Sequence, residues 1–470
     1  MPWIERENPA RPAEVVGRVP VTGPAAVDAA ARAAHARFAM WSRRPLSERL
    51  AALSEAARAL AARVPELAVL LARESGKPVA DCRGELSFAV TYLRWVCDRA
   101  PGVLAGSVTD DPLGRLTIDP APFGVVLAVT PWNAPVILSM LKLGPALAAG
   151  NTVLLKPSPL APLTVQAVAA LMPETTVVHG GPETVLALIE HPVVRKVAFT
   201  GGESAGRAIA AAAGQALTPV LLELGGNDPA VLLDDFALTD GDYERLVMAS
   251  FATAGQVCMA AKRLYVPRRR FAEFLDAYLA AAARVLTVGD PVDEAVTMGP
   301  VVSRAAADRI GGLLAEALAR GGRPVVLADA PDGAGYFLSP TLVLDLPDDA
   351  ELVRREQFGP VLPVLAYDTV DEAVARANDS ELGLGASVWS ADEDRAFAVA
   401  ARLEAGFTFV NTHNRTGMSL RAPFGGTKDS GFGREYGDEG LREYAQPVVR
   451  HLPAAFRAGG AGTAANAYPT

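Results

Sequence analysis

The sequence predicts a protein of the α/β class that contains two domains with parallel sheets. From Phe123 to Glu223, short apolar segments alternate with helical ones. A second alternating stretch begins near Pro229 and runs to about Glu404. Such alternation is typical of βαβ units, in which helices cover both faces of a parallel sheet. A chain of 470 residues is also too long for one ordinary core, so two or three domains are expected.

The chain before the first alternating stretch is predicted to be mostly helical. Residues 1–22 are rich in proline and are predicted to be irregular. Ser47-Glu48 suits the start of a helix, and Gly76 suits a C-cap. The predicted helices are Ala25–Trp41, Ser47–Glu74 and Cys82–Arg99, and Arg115–Asp119 is predicted to be a short strand that would suit half of a hairpin.

The first alternating stretch predicts one parallel sheet, whose ligands would bind at the carboxyl ends of its strands. The predicted strands are Gly124–Val129, Thr152–Lys156, Thr176–His179, Lys196–Thr200 and Pro219–Glu223. The predicted helices are Pro135–Ala149, Leu163–Leu171, Glu183–Glu190 and Ser204–Ala213.

The second alternating stretch predicts another α/β unit. Its predicted helices are Tyr243–Ala254, Phe271–Val285, Ala305–Arg320, Asp371–Asn378 and Asp392–Glu404. Its predicted strands are Arg263–Val266, Arg323–Leu327, Thr341–Leu344, Val361–Tyr367 and Ala386–Trp389. After it come a strand over Phe407–Asn411, a glycine-rich loop, an edge strand and a tail over 453–470 that is predicted to be flexible.

Composition excludes several classes of function. The formal net charge of −9 argues against nucleic acid and anionic membranes as partners. No apolar run approaches the roughly 20 residues of a membrane span, and no signal peptide is recognised, so a cytoplasmic protein is expected. Three cysteines and five scattered histidines show no metal-ligand spacing, so neither a disulfide framework nor a metal site is expected.

Cys258 is the cysteine that is placed for chemistry. It follows the turn Gly255-Gln256-Val257 between a helical run and a strand. A turn gives a thiol access to substrate and a way to become thiolate. Cys82 and Cys97 instead lie in apolar helical stretches, where a cysteine is usually a small buried hydrophobe.

Two polar residues lie where strands of the first sheet end. Glu223 is followed by Leu224-Gly225-Gly226, and partial desolvation there would raise the pKa of its carboxyl and suit it to general base catalysis. A capping or salt-bridged glutamate is the alternative. Asn133 lies between Pro131 and Pro135, where its amide can donate to a developing oxyanion, or it is simply a turn asparagine.

Other stretches suit a phosphate-bearing ligand or the wall of a pocket. Thr200–Gly206 joins a strand to a helix whose N-terminal N–H groups would suit a pyrophosphate. Its spacing is not GxGxxG, so an ordinary βα turn remains open. Lys156 lies at the end of another strand. Its ammonium would either reach the ribose hydroxyls or a phosphate of a ligand, or it is an ordinary exposed lysine. Glu356 and Phe424 lie in loops beside glycine or proline, which often line pockets.

Taken together and in this order, these stretches resemble the aldehyde dehydrogenase superfamily over about 22–452. The resemblance implies an NAD(P)-dependent enzyme that oxidises a small-molecule aldehyde to the carboxylic acid through a cysteine thiohemiacetal and thioester. It also implies an aldehyde-dehydrogenase-like three-domain fold in a homodimer or homotetramer. The implied domains are a Rossmann-like cofactor domain at 1–103 and 124–224, with 407–431 crossing back to it, a catalytic α/β domain at 225–406, and a β oligomerisation flap at 104–123 and 432–452.

The resemblance assigns roles to individual residues. Cys258 would be the nucleophile, the amide of Asn133 and the backbone N–H of Cys258 the oxyanion hole, and Glu223 the deacylating base. Lys142 and Glu435 match positions that relay protons or support that glutamate. Phe424 matches an aromatic that lines the substrate funnel. NAD or NADP would contact Trp132, Lys156, Ser158, Pro159, Gly202, Ser204, Leu224, Gly225, Glu356 and Phe358.

The sequence departs from the family pattern at two places. Many NAD-preferring members have a glutamate on the ribose 2′-hydroxyl where this chain has Pro159. Proline accepts none of those hydrogen bonds and carries no charge to repel a 2′-phosphate, so NADP use is possible beside NAD. The segment Asn411–Arg415 is polar and basic; His413 and Arg415 would either contact a polar group of the substrate or belong to a solvated loop.

Rival functions differ in the residues they need. A CoA-acylating semialdehyde dehydrogenase shares the fold and the nucleophile but lacks the glutamate base, so Glu223 argues for hydrolysis. A phosphorylating enzyme is a further alternative. A non-catalytic binding or structural member of the fold has no need for Cys258, Glu223 and Asn133 together. A cysteine hydrolase would want a histidine beside the thiol.

Overall fold

The computed structural model describes residues 2–457, which contain fourteen α-helices and twenty strands. The helices are α1 Pro24–Trp41, α2 Leu46–Ser75, α3 Val79–Val103, α4 Pro135–Ala149, α5 Pro162–Ala169, α6 Pro182–Glu190, α7 Glu203–Gln215, α8 Asp240–Phe251, α9 Phe271–Val285, α10 Arg304–Ala319, α11 Glu351–Arg354, α12 Val370–Asn378, α13 Glu393–Ala400 and α14 Gly437–Arg442. The strands are β1 Trp3–Asn8, β2 Arg11–Pro20, β3 Ser107–Asp111, β4 Gly114–Pro122, β5 Val125–Thr130, β6 Thr152–Pro157, β7 Thr175–Val177, β8 Val194–Thr200, β9 Val220–Glu223, β10 Pro229–Leu232, β11 Arg263–Pro267, β12 Arg323–Val326, β13 Thr341–Leu344, β14 Val361–Tyr367, β15 Leu382–Gly383, β16 Gly385–Trp389, β17 Phe407–Val410, β18 Thr427–Lys428, β19 Gly431–Phe432 and β20 Ala445–Pro453.

The first alternating stretch forms a six-stranded sheet in the order β19-β9-β8-β5-β6-β7. Strands β5 to β9 are parallel, and β19 joins β9 antiparallel. Every residue of β5 and β6 is buried, as the apolar runs 125–129 and 153–155 predict for a sheet that is covered on both faces. Helices α2, α3 and α4 pack on one face, and α1, α6 and α7 pack on the other.

The second alternating stretch forms a seven-stranded sheet in the order β12-β13-β14-β11-β10-β16-β17, parallel except for the pair β12–β13. Its core includes the buried rings of Phe251, Tyr265 and Trp389. After β17 the chain returns to the first sheet, where β19 pairs with β9. Strands β20, β4 and β3 form a separate antiparallel sheet.

The prediction that residues 1–22 are irregular is wrong. Strands β1 and β2 form an antiparallel hairpin in which Trp3 faces Pro20. The prolines hide an alternation of more and less exposed residues along β2, and this edge position tolerates proline. The buried Arg6 holds the hairpin to the core, because its guanidinium donates to the carbonyls of Glu74 and Val302.

Smaller differences concern the ends of elements. Helix α13 ends at Ala400, four residues before its predicted end, and β10 was not predicted as a strand. Pro453 ends β20, and Ala454–Phe456 form a 3-10 turn. The rest of the predicted tail, 458–470, lies outside the described residues. None of the described helices is long and apolar enough to cross a membrane.

Candidate active site

The loop that carries Cys258 is held in an uncommon backbone conformation. After α8, Ala252–Gly255 form a 3-10 turn in which Thr253 has φ 57° and Ala254 has φ 55°. Left-handed residues other than glycine cost about 1 kcal/mol or more each and persist only where the surroundings fix them. The side chain of Gln256 does so: its amide donates to the Thr253 carbonyl at 3.0 Å and accepts from the Val302 N–H at 2.9 Å.

Two cavities meet at this loop. The apolar cavity has a volume of about 350 Å³ and is lined mainly by hydrophobic side chains. The glycine cleft has a volume of about 290 Å³ and lies at the carboxyl end of the six-stranded sheet. Cys258 and Asn133 line both cavities, and no other residue that lines one of them also lines the other. The thiol and the amide therefore face two compartments at once.

The Cys258 thiol is half-buried, and desolvation raises its pKa to about 12, while the Lys262 ammonium acts in the opposite direction. The thiol is therefore protonated at neutral pH in the free protein. Cys82 is fully buried in α3, as predicted, and Cys97 is half-buried there with its thiol on the Leu50 carbonyl. Neither lines the two cavities.

Asn133 lies in the loop between β5 and α4. Its side chain is buried, and its amide N–H donates to the Gln256 carbonyl at 3.1 Å. This bond links the loop after β5 to the loop before Cys258. The neighbouring Trp132 meets Phe358 edge to face across the glycine cleft, with ring centroids 5.5 Å apart. The amide is thus fixed beside the thiol by groups from both sheets.

Glu223 is the last residue of β9 and is buried, but it lines neither cavity. Within the described residues its Oε1 has no hydrogen-bond partner. Burial, followed by the charge of Glu435, raises the pKa of its carboxyl well above the usual value, and Lys142 opposes that shift. Gly425 packs so close that a Cβ there would lie 2.8 Å from Glu223 Oε1. The carboxyl is a desolvated group behind the cavity wall.

A buried ion pair lies beside this carboxyl. Lys142 is completely buried in α4, and its ammonium donates to Glu435 Oε1 at 2.7 Å and to Thr200 Oγ1 at 2.6 Å. The two predicted supporting residues are therefore in contact with each other. Their charges reach Glu223 with opposite signs.

The residues predicted to contact the cofactor fall into two groups. Those on the wall of the glycine cleft are Trp132, Gly202, Leu224, Gly225, Glu356 and Phe358. Those outside that wall are Lys156, Ser158, Pro159 and Ser204. Ser158 accepts the Leu160 N–H at 3.2 Å, and Pro159 is exposed just beyond β6.

Two features of this region suit an anionic ligand with hydroxyl groups. Helix α7 begins at the cleft with Gly202 as its N-cap, and no side chain caps it. Its N–H groups are therefore open to a phosphate. Lys156 is buried at the end of β6, where desolvation lowers the pKa of its ammonium. Among the described residues none accepts a hydrogen bond from it.

Two cations in this region were missed by sequence reasoning. Lys262 is buried and pairs with Glu356 Oε1 at 3.0 Å, and its ammonium also donates to the Cys258 carbonyl. Glu356 accepts the Gly226 N–H at 3.1 Å as well. Arg309 lines the glycine cleft and donates to the Gln357 carbonyl at 2.7 Å. A lone lysine or arginine in the sequence gives no signal that folding will bring it to a nucleophile.

Phe424 and His413, which were predicted to contact the substrate, do not line the apolar cavity. Phe424 is buried and packs against Tyr436, which lines the apolar cavity in its place. His413 is also buried, and its Nδ1 lies 2.7 Å from Ser387 Oγ, outside the apolar cavity. His413 precedes the 3-10 turn Asn414–Gly417 and points inward, whereas Arg415 within that turn reaches the cavity wall.

No group of three or more His, Cys, Asp or Glu side chains in the described part of the chain is arranged to hold a metal ion. The loops around the two cavities bring together the Cys258 thiol, the Asn133 amide and the open start of α7.

Comparison with known proteins relates the whole chain to one family. The sequence model of the aldehyde dehydrogenase family matches residues 2–449. A succinate-semialdehyde dehydrogenase [NADP(+)] of Deinococcus radiodurans is 35% identical over 94% of this chain and 93% of its own length. A geranial dehydrogenase of Castellaniella defragrans is 38% identical over 92% of this chain and 91% of its own length. The crystal structure of a Mycobacterium tuberculosis aldehyde dehydrogenase complexed with NAD+ is 34% identical, with a TM-score of 0.91 over 97% of this chain and 96% of that one.

Proposed function

Because this chain belongs to the aldehyde dehydrogenase family and oxidises aldehydes with NAD or NADP, we propose that Cys258 is its nucleophile and that the product is the free carboxylic acid. The observation that carries the proposal is that Cys258 and Asn133 line both cavities. An aldehyde in the apolar cavity and a nicotinamide in the glycine cleft would then meet at the same thiol.

The first step is addition of the Cys258 thiolate to the aldehyde carbon. The carbonyl oxygen becomes an oxyanion, and the Asn133 amide and the Cys258 backbone N–H are the donors that would stabilise it. Asn133 now donates to the Gln256 carbonyl at 3.1 Å, so the amide is already fixed near the thiol. Donors that need no rearrangement stabilise the charge as it develops.

The thiol has to give its proton to solvent before it attacks. Burial holds the pKa of Cys258 at about 12, and Lys262 is the nearby cation that favours the thiolate. Glu223 has a raised pKa and is therefore a stronger base than an exposed glutamate. Glu223 is therefore the group that we propose takes the proton from the attacking water. Lys142 and Glu435, whose charges act on the Glu223 carboxyl with opposite signs, would support it.

The residues present fit NAD or NADP. The uncapped start of α7 suits the pyrophosphate, Lys156 suits the adenosine ribose, and Glu356 and Phe358 suit the nicotinamide ribose. When bound, the cofactor supplies the acceptor for the hydride that leaves the thiohemiacetal. Pro159 brings no negative charge to this region, which agrees with a site that accepts either cofactor.

The thioester that remains on Cys258 is released by water in this proposal. Glu223 is the group that favours hydrolysis over transfer to coenzyme A, because a base that reaches the thioester from behind the cavity wall would activate water. The desolvation of Glu223 supports this role, since only a base with a raised pKa abstracts a proton from water efficiently.

The domain boundaries, assembly and compartment belong to the same proposal. We assign 1–103 and 124–224, with 407–431, to the cofactor domain, 225–406 to the catalytic domain, and 104–123 and 432–452 to an oligomerisation flap. Exposed apolar side chains on β3, β4 and β20 support a homodimer or homotetramer joined through that flap. The cytoplasm is the proposed compartment.

Two variants test the proposal. Cys258→Ser is expected to lower turnover by at least about 10³ while cofactor binding, measured by fluorescence titration, stays intact. Glu223→Gln is expected to give a burst of about one NADH or NADPH per active site, followed by slow turnover. Cys97→Ser, a half-buried cysteine away from both cavities, is the control and keeps wild-type turnover.

Near wild-type oxidation by Cys258→Ser would exclude this cysteine as the nucleophile. Normal steady-state turnover by Glu223→Gln without a burst would exclude Glu223 as the base. Release of the thioester by added coenzyme A, and not by water, would point to the acylating alternative. Failure of the wild-type protein to oxidise any aldehyde would revive a non-catalytic role.

A further inference from the structure

The wall of the apolar cavity is built mainly from hydrophobic side chains of α3, α4 and the loops around them. Phe88 comes from α3, Ile137 and Leu138 from α4, and Met418 and Tyr436 from the segment after β17. A cavity of about 350 Å³ with such walls favours an apolar ligand of small-molecule size. The specificity then depends on the few charged groups that interrupt this wall.

Among the described residues that line the cavity, Lys77, Glu85 and Arg415 are charged. Lys77 and Glu85 form a buried ion pair with each other. Glu85 also accepts the N–H groups of Val136 at 2.7 Å and Ile137 at 3.2 Å, at the start of α4. This pair is neutral as a whole, and its carboxylate is fully engaged.

Arg415 is the remaining charge, and it is already paired. Its Nη2 lies 3.2 Å from both carboxylate oxygens of Asp81, in the first turn of α3. Thr253, in the loop before Cys258, donates to the same carboxylate at 3.4 Å. Nη2 is the guanidinium nitrogen that Asp81 occupies, so an anionic group of a substrate would have to use the other N–H groups of Arg415 and would then lie beside the negative charge of Asp81. The cation that could recognise a carboxylate is therefore neutralised in advance.

We propose that this protein oxidises neutral, largely hydrocarbon aldehydes in preference to aldehydes that carry a carboxylate, and that the Asp81–Arg415 pair at the cavity wall sets this preference. The inference rests on the proposed function, because it concerns the substrate that meets Cys258. Asp81 is a specificity-determining residue here, since it acts on the substrate through Arg415.

The test compares substrates of one chain length that differ at the far end. Pentanal ends in a methyl group and 5-oxopentanoate ends in a carboxylate. For the wild-type protein we expect kcat/KM to be at least about tenfold higher for pentanal, because the carboxylate loses water without gaining a free cation. From pentanal to octanal, kcat/KM should rise by up to about fourfold per methylene, as burial of hydrocarbon predicts.

Asp81→Asn releases Arg415 and is expected to shift the ratio of the two kcat/KM values toward 5-oxopentanoate by about tenfold. The double variant Asp81→Asn with Arg415→Gln removes the released cation and should abolish that shift. Glu294→Gln is the matched control. Glu294 pairs with Arg83, which lies on α3 like Asp81, but neither Glu294 nor Arg83 lines the apolar cavity. It should leave the ratio unchanged.

A wild-type preference for 5-oxopentanoate, or for a cationic aldehyde of the same length, would overturn the inference. So would an Asp81→Asn variant whose ratio equals that of the wild type. The wild-type comparison decides the point even if the variants fail to fold. Oxidation of neither substrate by a wild-type protein that still binds NAD or NADP would instead sink the proposed function, and this inference with it.

Discussion

At the scale of single residues, the site combines two acids that burial makes weak. Desolvation raises the pKa of Cys258 to about 12 and raises that of Glu223 well above its usual value. Each group has to be deprotonated for its proposed role, the thiol to attack and the carboxyl to accept a proton from water. Lys262 and Lys142 are the cations that reduce these shifts. Both groups are therefore weak acids in the free protein, and their deprotonated forms are correspondingly stronger bases.

A pH dependence follows from the sign of these shifts. A raised pKa means that the basic form accumulates only at higher pH, so kcat and kcat/KM should both rise from pH 6 to pH 9. Initial rates in buffers of constant ionic strength measure this, with cofactor affinity followed at each pH as the control. A fall in kcat above pH 7, in protein that remains folded, would contradict the assignment of Glu223 as base.

At the scale of elements, the starts of two helices differ in what satisfies their N–H groups. The start of α4 is occupied by Glu85, whose carboxylate accepts two of its N–H groups and also pairs with Lys77. The start of α7 has no side-chain cap and faces the glycine cleft. A helix that is capped internally supports the fold, whereas an open one is available to a phosphate.

The capped helix gives a stability prediction. Glu85→Gln leaves the Lys77 ammonium buried without a counter-charge. We expect this to lower the free energy of unfolding by about 3 kcal/mol. For a chain of this length that corresponds to a fall in unfolding temperature of about 3 °C. Scanning calorimetry at a fixed scan rate measures it. Glu66→Gln, which breaks an exposed pair with Arg63 on α2, should leave the unfolding temperature unchanged. Equal unfolding temperatures for both variants would contradict the structural role of Glu85.

At the scale of the whole molecule, the hydrogen bond from Asn133 to Gln256 joins a loop of the six-stranded sheet to a loop of the seven-stranded sheet, whereas most of the third sheet is exposed. Strands β20 and β3 are the edges of that sheet. Val108, Ile118, Val449 and Leu452 expose apolar surface on it. Exposed edges with apolar side chains are unusual on a monomer and suit a surface that is covered by another subunit.

The assembly prediction uses this sheet. Val449 is 57% exposed on β20, and Val449→Glu should shift the protein toward monomers, because a charge there opposes burial against a partner. Size-exclusion chromatography with light scattering measures the mass. Phe397→Glu, an exposed apolar residue on α13, is the control and should not change it. An unchanged mass for Val449→Glu would argue against the flap as the interface.

The sequence by itself determined the layout of both parallel sheets and their helices. Buried runs such as 125–129 in β5 are apolar throughout because both faces of such a sheet are covered, and this pattern is local. The sequence did not predict the hairpin β1–β2, because prolines mask the alternation of exposed and buried residues there. The contacts that hold the hairpin are made by Arg6 with distant carbonyls. The placement of Cys258 after a turn, and of Asn133 and Glu223 at strand ends, was also predictable, because turns and strand ends have local sequence signals.

Only the tertiary structure decided which of these residues face the same space. It turned His413 and Phe424 into the core, brought Lys262 to the Cys258 loop, and paired Asp81 with Arg415 across 334 residues of chain. The physical reason is the distance along the chain over which each kind of interaction acts. Apolar periodicity and turn chemistry act over a few neighbouring residues, whereas the charge balance of a cavity is the sum over side chains that only packing brings together.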